Sequence, residues 1–149
     1  MYELNLPTPV LRLAGTAEKP TVFDILRRKY VTLTPEEWVR QHFVHYLIEH
    51  KNFPQELLPH EVALQVGDKT LRADSVLYGR DLHPRVIVEY KAPTVAITQK
   101  VFDQITIYNF LMRVDYLIVS NGLNHYCCKM DYDNQKYLFI EEIPDYKNL

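Results

Sequence analysis

The stretch Arg85-Val86-Ile87-Val88-Glu89-Tyr90-Lys91 decides how this chain folds. Its centre, Val86-Ile87-Val88, is apolar at three successive positions, as expected of a strand covered on both faces. Such a strand lies inside a sheet that has helices packed on two sides. Ala92-Pro93 then break it, because proline cannot donate to a strand ladder. The two-residue period of a strand puts Glu89 and Lys91 on one face. A carboxylate and an ammonium therefore leave the end of a buried strand together.

Upstream of this strand the period is also two. Val62, Leu64 and Val66 alternate with Glu61, Ala63 and Gln65, and Gly67-Asp68 reads as a tight hairpin turn. The return strand, Thr70 to Tyr78, carries Asp74, and a loop through Gly79, Asp81 and Pro84 leads back to Arg85. Downstream, a helix is predicted over about Ile97 to Met112, with Ile97, Val101, Ile105 and Phe110 toward the core. Tyr116-Leu117-Ile118-Val119 is a further buried strand ended by Asn121-Gly122. His125–Met130 and Tyr137–Ile140 form a last pair around the polar turn Asp131–Gln135.

Before all of these, Thr34-Pro35-Glu36-Glu37 is a strong helix start. Thr34 is the N-cap, Pro35 the first helical residue and Glu37 the return half of a capping box. That helix runs to about His50, buries Trp38, Val39, Phe43, Tyr46 and Leu47, and is ended by Asn52 and Pro54. Residues 1–20, with Pro7, Pro9 and Pro20, read as an irregular arm holding at most a short strand near Val10–Leu13. The whole is one α/β domain over residues 1–149, a mixed β-sheet flanked by helices.

Composition narrows the chemistry. With 149 residues the chain can bury one core. Four glycines and the lack of either glycine-rich phosphate-loop pattern exclude a nucleotide-driven motor. A net charge of −2 argues against a free-standing, tight nucleic-acid binder, which would carry a basic face. It leaves room for a chain whose nucleic acid is delivered by another module. Arg27-Arg28-Lys29 is the only dense basic run and reads as a solvated loop or helix end. Cys127 and Cys128 are adjacent, so they are poorly placed to bridge each other and suit a reducing compartment. There is no apolar run of membrane-spanning length and no secretory leader at Met1-Tyr2-Glu3-Leu4, so the expected address is the cytoplasm.

An acidic residue two before a lysine is weak evidence alone, since composition predicts roughly one such pair in a chain of this size. Three occur here. Glu49-His50-Lys51 ends a helix, where side chains two apart diverge, and Asp145-Tyr146-Lys147 lies beyond Pro144. Only Glu89-Tyr90-Lys91 ends a buried strand. Asp74, on the expected neighbouring strand, needs a partner because an isolated charge in a partly buried sheet is costly. Two readings compete. In one, Asp74 pairs with Lys91 or Arg72 and nothing further happens. In the other, Asp74, Glu89 and the Tyr90 carbonyl bind Mg²⁺ through oxygens, with water in the remaining positions. Gln104 and Tyr108, four apart, share one face of the following helix. Glu37 has its cap to serve, Glu61 opens a strand and can simply face water, and His42 with His45 lacks a third ligand.

Taken in order, these segments resemble the PD-(D/E)xK nuclease superfamily, and more narrowly the N-terminal nuclease domain of type I restriction enzyme R subunits. The matching text is Leu33-Thr34-Pro35-Glu36-Glu37-Trp38-Val39-Arg40-Gln41, Arg72-Ala73-Asp74 and Val88-Glu89-Tyr90-Lys91-Ala92-Pro93. It continues with Phe102-Asp103-Gln104-Ile105 through Tyr108-Asn109 and ends at Ser120-Asn121-Gly122, covering about residues 22–145. The first acidic motif departs from the family pattern in having Ala73-Asp74 where Pro-Asp is usual.

The resemblance implies a restriction-endonuclease-like core that hydrolyses DNA phosphodiester bonds with Mg²⁺, or Mn²⁺ in its place. Asp74, Glu89 and the Tyr90 carbonyl would hold the metal, and Lys91 would position or activate water. Gln104 and Tyr108 would touch DNA or steady the site. It also implies partners: DNA, and the motor, methylase or specificity subunits of a restriction system. The alternative is a catalytically silent nucleic-acid-binding or protein-interaction module on the same scaffold, which the near-neutral charge favours.

Overall fold

The computed structural model describes residues 1–149, apart from the side chain of Tyr108. Six strands form one sheet in spatial order β4-β5-β6-β7-β8-β9: His60–Val66, Lys69–Tyr78, Pro84–Tyr90, Tyr116–Ser120, His125–Asp131 and Lys136–Ile140. Every neighbouring pair is antiparallel except β6 and β7, which run parallel. A parallel pair needs a long crossover, and helix α2, Gln99–Met112, supplies it. The mixed sheet expected from the sequence is therefore present, with Gly67 in the β4–β5 turn at φ +63°.

Burial explains the apolar run in β6. Val86 and Val88 join Val39, Phe43, Val44 and Leu47 of helix α1, Pro35–Lys51, in one core. Ile87 faces the other way, into a second core with Phe102 of α2 and with Val76, Leu117 and Val119. Both faces of the strand are covered, as its composition requires. Helix α2 starts two residues later than expected, because the Thr98 hydroxyl accepts the Val101 amide as its N-cap. Its buried anchor is Phe102, 3% exposed, rather than Val101. No helix among the described residues is long and apolar enough to cross a membrane.

The N-terminal region departs most from expectation. Leu13–Gly15, Pro20–Asp24 and Lys29–Thr32 form a separate three-stranded antiparallel sheet, β1-β2-β3. β1 lies inside the stretch read as an arm, and it is fully exposed, so no apolar alternation marks it. Its end is fixed by Gly15 at φ +79°, where a Cβ would stand 2.3 Å from the Lys19 carbonyl oxygen. The Arg27–Lys29 run is a turn leading into a strand rather than a helix end, with Arg28 and Lys29 exposed as expected and Arg27 the exception. Arg28 turns the chain at φ +54°, Lys29 opens β3, and Arg27 folds inward onto two carboxylates.

Candidate active site

Register brings the acidic residues together. Ser75 pairs with Val88 across β5 and β6, which sets Asp74 opposite Glu89 on one face of the sheet. His60 pairs with Ser75 and Val62 with Ala73, which sets Glu61 opposite Asp74 on the other side. A row of carboxylates, 61, 74 and 89, thus crosses three adjacent strands. Glu61 sits at φ +52°, a left-handed conformation that non-glycine residues seldom adopt.

The site's framework is held from behind. Tyr90 is 2% exposed and packs into the α1 core. Its hydroxyl lies 2.9 Å from Ser75 Oγ, which lies 2.7 Å from His60 Nδ1. With Asp24 Oδ2 3.7 Å from His60 Nε2, this is an Asp–His–Ser order, but Ser75 is fully buried and no substrate can reach it. Burial holds the His60 imidazole down at about 4, so it is neutral and serves as a buried hydrogen-bonding link. The chain pins the Tyr90 ring on the α1 side and leaves Glu89 and Lys91 to the α2 side.

On that side, a cavity of about 350 Å³ is lined by Glu89, Lys91, Gln104, Arg72 and Asn109, among others. The sequence-derived pair Glu89 and Lys91 therefore meets Gln104 in one hollow. Asp74 stands beside it, its Oδ2 accepting the Tyr90 backbone N–H at 2.9 Å. Tyr108 is on α2, and its side chain lies outside the described residues. Burial pushes the Glu89 carboxyl up to about 9, with the neighbouring Asp74 charge adding to the push and Lys91 only partly offsetting it. Two carboxylates held this close need a shared proton or a cation. A divalent ion is one way to meet that need, and the proton held by Glu89 is the other. Among the described residues no group of three His, Cys, Asp or Glu side chains could hold a metal. The donor set is two carboxylates, to be completed by carbonyl and water oxygens, which suits a hard ion such as Mg²⁺.

Three expectations change. The cation nearest Asp74 is neither Lys91 nor Arg72 but Arg40 of α1, whose Nη2 is 3.9 Å from Oδ1. Glu61 does not simply face water; its Oε1 accepts from the same Nη2 at 2.6 Å. Glu37 does not complete a capping box. Thr34 Oγ1 accepts the Glu37 amide at 3.0 Å, but the Thr34 amide bonds the Thr32 carbonyl. The Glu37 carboxylate goes instead to Arg27 Nη2 at 2.6 Å and to Gln41 Nε2 at 3.1 Å. Sequence reasoning gave Arg40 no role beyond its place in the matching stretch, because a single arginine in an amphipathic helix carries no local signal. It also missed Asn109, 1% exposed, whose two amide atoms have no hydrogen-bond partner among the described residues.

The match to a family model for the type I restriction enzyme R protein N terminus covers residues 35–144. Among solved structures, the chain is similar to a fragment of a proposed HsdR subunit of a type I restriction enzyme from Vibrio vulnificus YJ016. The two share 19% identity at a TM-score of 0.52, over 75% of this chain and 24% of that one. The likeness is one of fold, and this chain spans about a quarter of the length of that fragment. None of the curated proteins compared matches the chain.

Proposed function

The chain belongs to the family of type I restriction enzyme R protein N termini, and from that premise we propose that it is a Mg²⁺-dependent DNA endonuclease domain of the PD-(D/E)xK kind. It hydrolyses phosphodiester bonds within a restriction system whose other subunits supply motor, methylase and recognition functions. The observation that carries this reading is the convergence of Asp74 and Glu89 beside a hollow that also holds Lys91 and Gln104.

Asp74, Glu89 and the Tyr90 carbonyl would hold the ion, with Mn²⁺ as a working substitute. When bound, the metal supplies Lewis-acid polarisation of the phosphate and a water of lowered pKa. The protein's own groups do the rest. Asp74 is aligned by the Tyr90 amide. Lys91 is placed to offset negative charge that grows on the phosphate in the transition state. Gln104, and Tyr108 one turn later, lie on the helix that walls the hollow and would contact DNA or steady the site. Because burial and Asp74 favour the protonated form of Glu89, an ion held there would take the place of that proton.

The test is incubation of supercoiled plasmid with the protein and Mg²⁺ or Mn²⁺, alongside Asp74→Ala and Lys91→Ala. Cleavage by the wild type, lost in both variants, is the expected result. A wild type that shifts DNA on a gel but cuts with neither metal points instead to a silent binding module. The net charge of −2 favours that second reading.

A further inference from the structure

We propose that Arg40 is the positioning residue for Asp74, and that Arg27 of the N-terminal sheet's turn acts on it through Glu37; this rests on the nuclease reading of Asp74. Arg40 is 7% exposed and sits at the meeting point of three carboxylates. Its Nη2 is 2.6 Å from Glu61 Oε1 and 3.9 Å from Asp74 Oδ1, and its Nη1 is 3.6 Å from Glu37 Oε1. Its guanidinium carbon lies 5.6 Å from the centre of the Tyr90 ring. A planar, permanently charged fork held at three points is a fixed cation.

Asp74 is gripped from two directions as a result. Oδ2 takes the Tyr90 amide of β6, and Oδ1 faces the Arg40 charge arriving from α1. A part-exposed carboxylate otherwise has rotamer freedom, and a ligand that wanders loses metal affinity. Residues that orient ligands from behind typically matter tenfold or more. The strained backbone of Glu61 fits this reading, since it places Oε1 where it anchors Nη2. Arg40 Nε and Nη1 are buried without a hydrogen-bond partner among the described residues, so its placement is set by charge more than by saturated bonding.

The chain of alternating charge continues outward. Glu37 Oε1 accepts from Arg27 Nη2 at 2.6 Å, and Arg27 Nε donates to Asp24 Oδ2 at 2.6 Å. Asp24, 1% exposed, is itself held by the Leu26 and Arg27 amides. Asp24 and Arg27 precede the segment that the family model matches, residues 35–144. The N-terminal sheet is thereby connected to the site by an unbroken sequence of ion pairs.

The Tyr90 amide reports on Asp74 without any metal, so hydrogen exchange at that amide is the primary measurement. Its rate is normalised to that of Val88 on the same strand, which removes any change in global stability. Arg40→Gln is expected to raise the Tyr90-to-Val88 ratio about tenfold, because an Asp74 freed from the Arg40 charge no longer holds its charge-assisted hydrogen bond to the Tyr90 amide. Asp74→Ala is the positive control, and Arg40→Lys, which keeps the charge, gives a smaller rise. Arg27→Gln, which leaves Arg40 in place, gives a rise of about threefold and serves if Arg40→Gln fails to fold. Mn²⁺ titration of the same variants is expected to show affinity falling about tenfold in Arg40→Gln. An unchanged ratio in Arg40→Gln, or in Arg27→Gln should the former not fold, overturns the proposal. If the wild type binds no Mn²⁺ while the ratio still responds, the nuclease reading fails and the positioning of Asp74 stands.

Discussion

The two sides of the candidate site handle carboxylates in opposite ways. Toward α1, Asp24, Glu37 and Glu61 each meet a guanidinium within 2.6 Å, supplied by Arg27 or Arg40. Toward α2, Asp74 and Glu89 stand side by side. Lys91 shares their hollow but makes no ion pair within 4 Å among the described residues. Neutralised charge is architecture, because each member is held in place by another. A carboxylate pair with no close cation for its second member holds a proton instead, as Glu89 does, and it is to this pair that the proposed function assigns an ion. The fold builds the second kind on the foundation of the first, with Arg40 touching both.

The comparison is broken most severely by removing the centre of the neutralised set. In Glu37→Ala, Arg27 and Arg40 keep their charges but lose the carboxylate between them, which is 9% exposed. Stripping one partner from a buried pair costs about 3–5 kcal/mol. Urea denaturation is expected to show a loss of that size. A loss under about 1 kcal/mol, the value typical of exposed pairs, would mean that the α1 network is a surface feature and the contrast between faces is false.

How much of this was legible in sequence follows the range of each interaction. Glu89 and Lys91 could be placed together because a strand's period is local. Asp74 could be set beside them because hairpins fix register over a few residues. Thr34 was readable as a cap for the same reason. The ion pairs were not: Arg27 reaches Glu37 across 10 positions and Arg40 reaches Glu61 across 21, and no period links them. Glu37 shows the cost of local reasoning. Its spacing from Thr34 fits a capping box, yet a buried guanidinium is the stronger partner for its carboxylate. The N-terminal sheet escaped notice because β1 is exposed and β3 almost so, which leaves no burial pattern to read.

The unneutralised face can be examined through pH. Burial and Asp74 raise Glu89 from 4.5 when unfolded to about 9 when folded. Between those values the folded protein holds a proton that the unfolded chain releases, so stability falls as pH rises. His60, His42 and His125 are all lowered from 6.5 by burial and act only below that pH, where they favour the opposite trend. From pH 7 toward 8, below the range in which the buried thiols Cys127 and Cys128, raised by burial from 9.0 to about 12, add a slope of the same sign, the Glu89 slope therefore stands clear, at up to about 1.4 kcal/mol per pH unit. Glu89→Gln, which copies the protonated shape without its titration, is expected to flatten the slope in denaturation curves taken across that range. Saturating Mg²⁺ is expected to flatten it in the wild type as well. A slope that survives Glu89→Gln assigns the linkage to another group.

The smallest effect on stability is expected at Lys91, to which the proposed function gives a part in turnover. Lys91 is partly exposed and carries no close ion pair among the described residues, so Lys91→Ala is expected to shift unfolding by no more than about 0.5 kcal/mol. Its charge does act on Glu89, which it draws downward. Removing it therefore raises the Glu89 pKa further, an upward move visible in carboxyl carbon titration of the metal-free protein. A structural lysine would show the reverse pattern, a clear loss of stability and no change at Glu89. Near-constant stability with a displaced Glu89 titration and lost cleavage would place Lys91 on the proton-holding side. It would also separate that side from the ion-paired one in a single variant.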